Sequence, residues 1–143
     1  MCSKRKRPDV VLYHFCPAHM VEAIKRDGLR LGAYPIFSEN RMELIPKIQW
    51  LTAEPDRAKQ SWATSYLIHY DRTAYRLTIR IPGSHHKKLV KAREYASELP
   101  EKDRGIVLDW PGSEMWYVFQ GHIPPRWIIG CKEMSGKNDP LHL

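Results

Sequence analysis

Apolar and polar positions along the chain fall into short blocks whose period changes repeatedly. From Asp9 through Val10, Val11, Leu12, Tyr13 and His14 to Phe15 the chain is nearly continuous in apolar, β-branched or aromatic residues and stops before Pro17, which predicts a buried strand. Over 18–27 the spacing becomes helical: Met20, Val21 and Ile24 share one face, Glu22, Lys25 and Arg26 another, and Gly28 supplies the stop. The stretch 33–46 has no clear period and contains Pro35, Ser38, Asn40 and Pro46, so it is expected to be a long loop. Residues 48–52 predict a second strand. Pro55 opens a helix with Ala58, Trp62 and Tyr66 on one face. Tyr75 to Ile81 alternates strictly and ends at Pro82-Gly83, the clearest strand signal in the chain. Beyond it the pattern predicts a helix over 89–99, a short strand over 106–108, a stronger strand over 115–119 and a last one over 127–129.

Strands outnumber helices and cluster late, against a doubly wound parallel sheet, and no repeat or internal boundary interrupts the pattern. The expected fold is therefore α+β: one domain over 9–134, between a basic tail over 1–8 and a frayed tail over 135–143. At 143 residues and 43% apolar composition the chain is long enough to bury its own core. No run reaches the roughly 20 apolar residues of a membrane span, and no apolar segment follows the basic start to make a signal peptide. The three cysteines, Cys2, Cys16 and Cys131, form neither a disulfide framework nor a Cys-x-x-Cys pair. A reduced, cytoplasmic protein without a metal is expected.

Charge adds a partner class. With 23 basic and 16 acidic residues the net charge is +7, which favours an anionic partner such as nucleic acid. Lys4 to Arg7 supply four of these charges in a solvated tail, and Lys87, Lys88, Lys91 and Arg93 form a second group on a predicted helix.

Among chemistry-bearing motifs, the glycine-rich nucleotide loops, His-Glu-x-x-His and Gly-x-Ser-x-Gly are absent. His85 and His86 are adjacent, so their rings diverge and make a poor metal pair. Cys16 follows a buried strand and reads as a small apolar filler. His14 stands near a strand end before a turn, where it is either a ligand-binding group or a core histidine bonded to backbone. Trp50 and Thr52 end the second strand in the same manner. Glu114 stands at the mouth of the aromatic strand 115–119, after the turn-forming Pro111-Gly112-Ser113.

In order, four segments resemble the ADP-ribosyltransferase fold superfamily, which includes nucleic-acid-modifying toxins and tRNA 2′-phosphotransferase-like proteins. Leu12-Tyr13-His14-Phe15 resembles its first-strand histidine motif, and Val21 to Leu31 the helix and glycine-leucine exit that follow. Ile48-Gln49-Trp50-Leu51-Thr52 resembles the second strand, whose aromatic residue or histidine stacks on nicotinamide. Glu114 to Ile128 resembles the last motif, where a glutamate opens a strand leading to an Ile-Pro-Pro turn. Trp50 replaces the tyrosine, histidine or serine common in relatives. Trp116 holds the position seven before Ile123 that several relatives fill with glutamate; Glu114 fits a longer spacing, and Gln120 is a weaker substitute.

The resemblance implies split, mostly antiparallel sheets flanked by helices, with NAD as substrate and no metal. It implies an enzyme of toxin or defence type that moves ADP-ribose to a macromolecule, with nucleic acid as one acceptor class. Breaking the nicotinamide–ribose bond puts positive charge on the ribose, which a carboxylate stabilises; that role falls to Glu114. His14 would hydrogen-bond a ribose or the nicotinamide amide, and Trp50 would stack on the nicotinamide. Phe15, Arg30 and Thr52 complete the implied NAD contacts. Two alternatives stay open: a tRNA 2′-phosphotransferase-like enzyme that works through basic groups, and a non-catalytic module on the same fold that binds nucleic acid or protein.

Overall fold

The computed structural model describes residues 7–63 and 71–134. Its centre is a six-stranded sheet of β1 (Val10–Cys16), β4 (Ile48–Thr52), β5 (Tyr75–Ile81), β6 (Leu89–Lys91), β7 (Trp116–Gln120) and β8 (Ile128–Glu133). Their spatial order is β6-β7-β4-β1-β5-β8, and each neighbouring pair runs antiparallel. A separate two-stranded sheet joins β2 (Ala33–Ser38) to β3 (Arg41–Pro46). Among the described residues three short α-helices, α1 (Val21–Asp27), α2 (Ala92–Ser97) and α3 (Gly105–Leu108), complete a mixed α+β fold that is mostly sheet. Among the described residues no helix is long and apolar enough to cross a membrane.

Side chains alternate across the pleated strands, so the sheet separates two cores. Leu12, Leu51, Leu77, Ile79 and Phe119 pack with Val21 and Ile24 of α1 on one side. Tyr34, Ile48, Val118, Ala92, Ala96 and Val107 make the other, under the β2–β3 hairpin, α2 and α3. Gly28 ends α1 at φ 80°, where an added Cβ would stand 2.0 Å from the Ile123 carbonyl oxygen. Only glycine allows that approach, and with it the bridge between Leu29 and Ile123.

Several elements differ from those the sequence pattern predicts. The 33–46 loop is the β2–β3 hairpin, closed by Glu39 and Asn40 at φ 47° and 66° in a two-residue turn. The helix expected from Pro55 is two short 3₁₀ turns, Arg57–Lys59 and Ser61–Ala63, because Asp56 caps the first turn and Gln60 then leaves helical geometry; Tyr66 lies outside the described residues. The predicted 89–99 helix starts as strand β6 and becomes helical only at Ala92, since Leu89 to Lys91 pair with Phe119 to Tyr117. Lys87, Lys88, Lys91 and Arg93 therefore share no single helix. Ile106 to Leu108, expected as a strand, belongs to α3. Residues 1–6 and 135–143 of the two expected tails lie outside the described residues, whereas the Arg7 and Pro8 carbonyls lie close against Gly83.

Candidate functional site at the opening of the sheet

The central sheet is not uniformly closed. Strand β1 pairs with β5 along its whole length, from Val10 with Ile81 to Cys16 with Tyr75. With β4 it shares one register pair, Tyr13 with Thr52. Beyond it, where His14 would face Leu51 and Phe15 would face Trp50, the strands form no further register pair. The His14 side chain spans the opening: its Nδ1–H donates to the Trp50 carbonyl at 2.8 Å. A carbonyl can only accept, so this bond assigns the proton to Nδ1 and leaves Nε2 as the acceptor of the neutral ring. Burial lowers the His14 pKa from its ordinary value, and the bond to the Trp50 carbonyl opposes that shift only in part.

The Trp50 indole is fixed on several sides. Its ring stacks on Tyr34 at 5.5 Å and meets Trp116 edge-on at 6.2 Å, while Nε1 donates to the Ala33 carbonyl at 2.9 Å. Tyr34 is itself buried and donates to the Asp103 carbonyl at 2.7 Å. The buried Asp103 carboxylate also accepts the Phe37 amide at 2.8 Å, stapling the hairpin over the second core. Residues distant along the chain thereby hold one aromatic wall. Because its polar edge is already satisfied, Trp50 offers a π-face rather than a hydrogen bond.

Two cavities meet at His14 and Trp50. The first, about 430 Å³, is walled by Tyr13, Phe15, Trp50, Thr52, Trp116 and Arg72 among others. The second, about 290 Å³, lies toward α1 and is bounded by Gly28, Arg30, Gln49 and Asp27. Their sizes are those of small-molecule sites. Gln49, buried, accepts the Gly32 amide at 3.0 Å and donates to the Gly121 carbonyl at 3.0 Å, which fixes the floor of the second.

Of the residues singled out in the sequence, His14, Phe15, Trp50 and Thr52 meet at the first cavity, and Arg30 lines the second. Thr52 also accepts the Glu54 amide at 3.0 Å. Glu114 lines neither cavity. It sits in a 3₁₀ turn, Ser113–Met115, with its side chain 61% exposed and 3.5 Å from the Arg93 guanidinium. Trp116, two residues on, forms part of the first cavity's wall. The Cys16 thiol is buried and its pKa is pushed up to about 12, mainly by that burial, which suits a filler rather than a nucleophile. His85 packs its ring on Trp127 at 4.7 Å and His86 bonds the Gly83 carbonyl.

Sequence reasoning missed Arg72 and placed Trp62 on a helix face. The signal for Arg72 was local: Asp71-Arg72-Thr73 has the spacing of an Asx turn, and the Asp71 carboxylate accepts the Thr73 amide at 2.9 Å. Among the described residues no group of three or more His, Cys, Asp or Glu side chains is arranged to hold a metal ion. No family model matches the chain, and neither the curated proteins nor the solved structures provide a match.

Proposed function

We propose that the opening between β1 and β4 is an NAD cleft and that the protein is an NAD-dependent transferase of the ADP-ribosyltransferase type, moving ADP-ribose to a macromolecular acceptor. The observation that carries this reading is the parting of the two strands beyond Tyr13 and Thr52, with His14 and Trp50 at the junction of two cavities. A dinucleotide has two ring systems joined by a polar linker, and two adjoining cavities suit such a shape. Trp50 supplies a stacking face, and His14 Nε2 a hydrogen-bond acceptor for a ribose hydroxyl or the nicotinamide amide. The net charge of +7 favours a phosphate-rich acceptor.

In the transfer, the ribose C1′–nicotinamide bond breaks with its electron pair leaving on nicotinamide. A bond forms from C1′ to the acceptor nucleophile, which releases its proton to solvent. Glu114, exposed and two residues before the cavity-lining Trp116, is the carboxylate this reading assigns to the developing positive charge. Incubation with labelled NAD and cell lysate tests the assignment. Label should enter a macromolecular fraction with wild type and be lost with Glu114→Ala, while the variant keeps the NAD-induced rise in melting temperature. A variant as active as wild type removes Glu114 from the chemistry.

One observation favours a second reading. The described wall of the first cavity carries Arg72 and no carboxylate, and Arg30 lines the second, which suits a tRNA 2′-phosphotransferase-like enzyme working through basic groups. Activity on a 2′-phosphorylated RNA that survives Glu114→Ala and disappears with Arg30→Ala would select it. Salt-sensitive nucleic-acid binding without any NAD-induced thermal shift would leave only a binding module on this fold.

A further inference from the structure

We infer that Arg72 is a phosphate-gripping residue and that the first cavity takes a nucleoside phosphate, its ring against the aromatic wall and its phosphate on this guanidinium. The inference rests on the reading of the cleft as a nucleotide site and adds which group holds the phosphate.

Arg72 lines the cavity with its guanidinium over the Trp62 ring, 5.0 Å from the centroid. Among the described residues it makes no ion pair and no hydrogen bond. Other arginines are committed elsewhere: Arg57 to Asp71 and Thr73, Arg80 to Asp9, Arg93 to Ser113 and Glu114. A half-buried cation whose donors are unspent among the described residues, facing a cavity whose described wall has no carboxylate, is a site for an anion.

The surroundings hold that cation in place without neutralising it. On one side Asp71 accepts the amide and hydroxyl of Thr73, at 2.9 and 3.0 Å, while Arg57 bonds both residues and the Met134 carbonyl. This fixes the turn from which Arg72 projects. On the other side the Trp62 Nε1–H donates to Gln60 at 3.1 Å, and the buried Gln60 amide donates in turn to the Glu54 and Asp56 carbonyls. Asp71 is thus spent on Arg57, and Arg72 keeps its charge for the cavity. A guanidinium laid on an indole presents its outer edge, the geometry that binds a phosphate in bidentate fashion. Tyr13, Trp50 and Trp116 in the same wall suit the ring of the same ligand.

Quenching of tryptophan fluorescence by AMP, adenosine, NAD and nicotinamide riboside, on wild type and on Arg72→Gln, tests this. Wild type should bind AMP at least about tenfold more tightly than adenosine, and NAD likewise more tightly than nicotinamide riboside. Arg72→Gln should erase both differences, with nucleoside affinity and melting temperature unchanged. Arg72→Lys, which keeps the charge but loses the planar fork, should retain part of the preference. Equal affinity of wild type for AMP and adenosine overturns the inference, as does a phosphate preference that survives Arg72→Gln or the absence of any binding. If Arg72 governs the phosphate preference but NAD is never consumed, the inference stands and the transferase reading falls.

Discussion

Strand β1 has two edges that behave differently. Against β5 it is zipped from Val10 to Cys16; against β4 it holds one pair and then opens. The same strand therefore serves as scaffold on one side and as the lip of a cavity on the other. The closed edge works by burial: Leu12, Leu77 and Ile79 are fully enclosed, and every residue of the ladder has a partner. On the open edge one imidazole replaces backbone pairing, so the strands stay apart without leaving the Trp50 carbonyl unsatisfied. A sheet that closes everywhere offers no concavity, and one that opens everywhere has no stability. Here the two requirements are met by different edges of seven residues.

The largest effect is expected on the closed edge. Leu77→Ala should cost about 2–5 kcal/mol in chemical denaturation, the range for truncating an enclosed leucine, with ligand affinity of the folded fraction unchanged. If affinity falls in proportion to stability, the two edges are not separable. Next comes Trp50→Ala on the open edge. It loses the Tyr34 stack, the Trp116 contact and the bond to Ala33, and should cost about 2 kcal/mol while weakening NAD binding tenfold or more, read by titration at a temperature where the variant is folded.

His14 gives an effect that depends on pH. Its folded-state pKa lies below the ordinary imidazole value near 6.5, chiefly because of burial. As pH falls below that value the unfolded chain takes up the proton first, so acid favours unfolding, and stability is lost from about 6.5 down toward the folded-state pKa. Wild type should therefore lose melting temperature faster than His14→Gln between pH 6.5 and 5, with parallel curves above pH 7. A steep acid limb retained in the variant would assign the loss to other groups. The smallest effect is Thr52→Val, which removes one hydrogen bond to the Glu54 amide and should cost about 1 kcal/mol or less by thermal melting.

The two edges also differ in how far the sequence announces them. Strands β1 and β5 stand out by apolar run and by alternation, because Leu12, Leu77, Ile79 and Ile81 bury one face of the sheet in the first core. The hairpin did not stand out. Phe37, Met42 and Leu44 point apolar groups to solvent, and Pro35 and Pro46 lie inside its strands, so its pattern mimics a loop; its turn uses Glu39 and Asn40 in place of a glycine. The apolar triplet 106–108 carried no period at all, and packing against the second core decided it as helix. His14 and Trp50 could be singled out from strand ends, but not the bond between them, which joins residues 36 apart in sequence. Arg72 was hidden for another reason: its importance comes from what its neighbours Asp71 and Arg57 do for each other.

The proposed binding of a dinucleotide at the open edge of β1 is tested most directly by amide chemical shifts during titration with NAD. Saturable changes are expected at Tyr13, His14, Phe15, Trp50 and Thr52, with the residues along the closed edge from Arg76 to Ile79 moving least. No change with millimolar NAD, or changes confined to surfaces away from the β1–β4 opening, would contradict it.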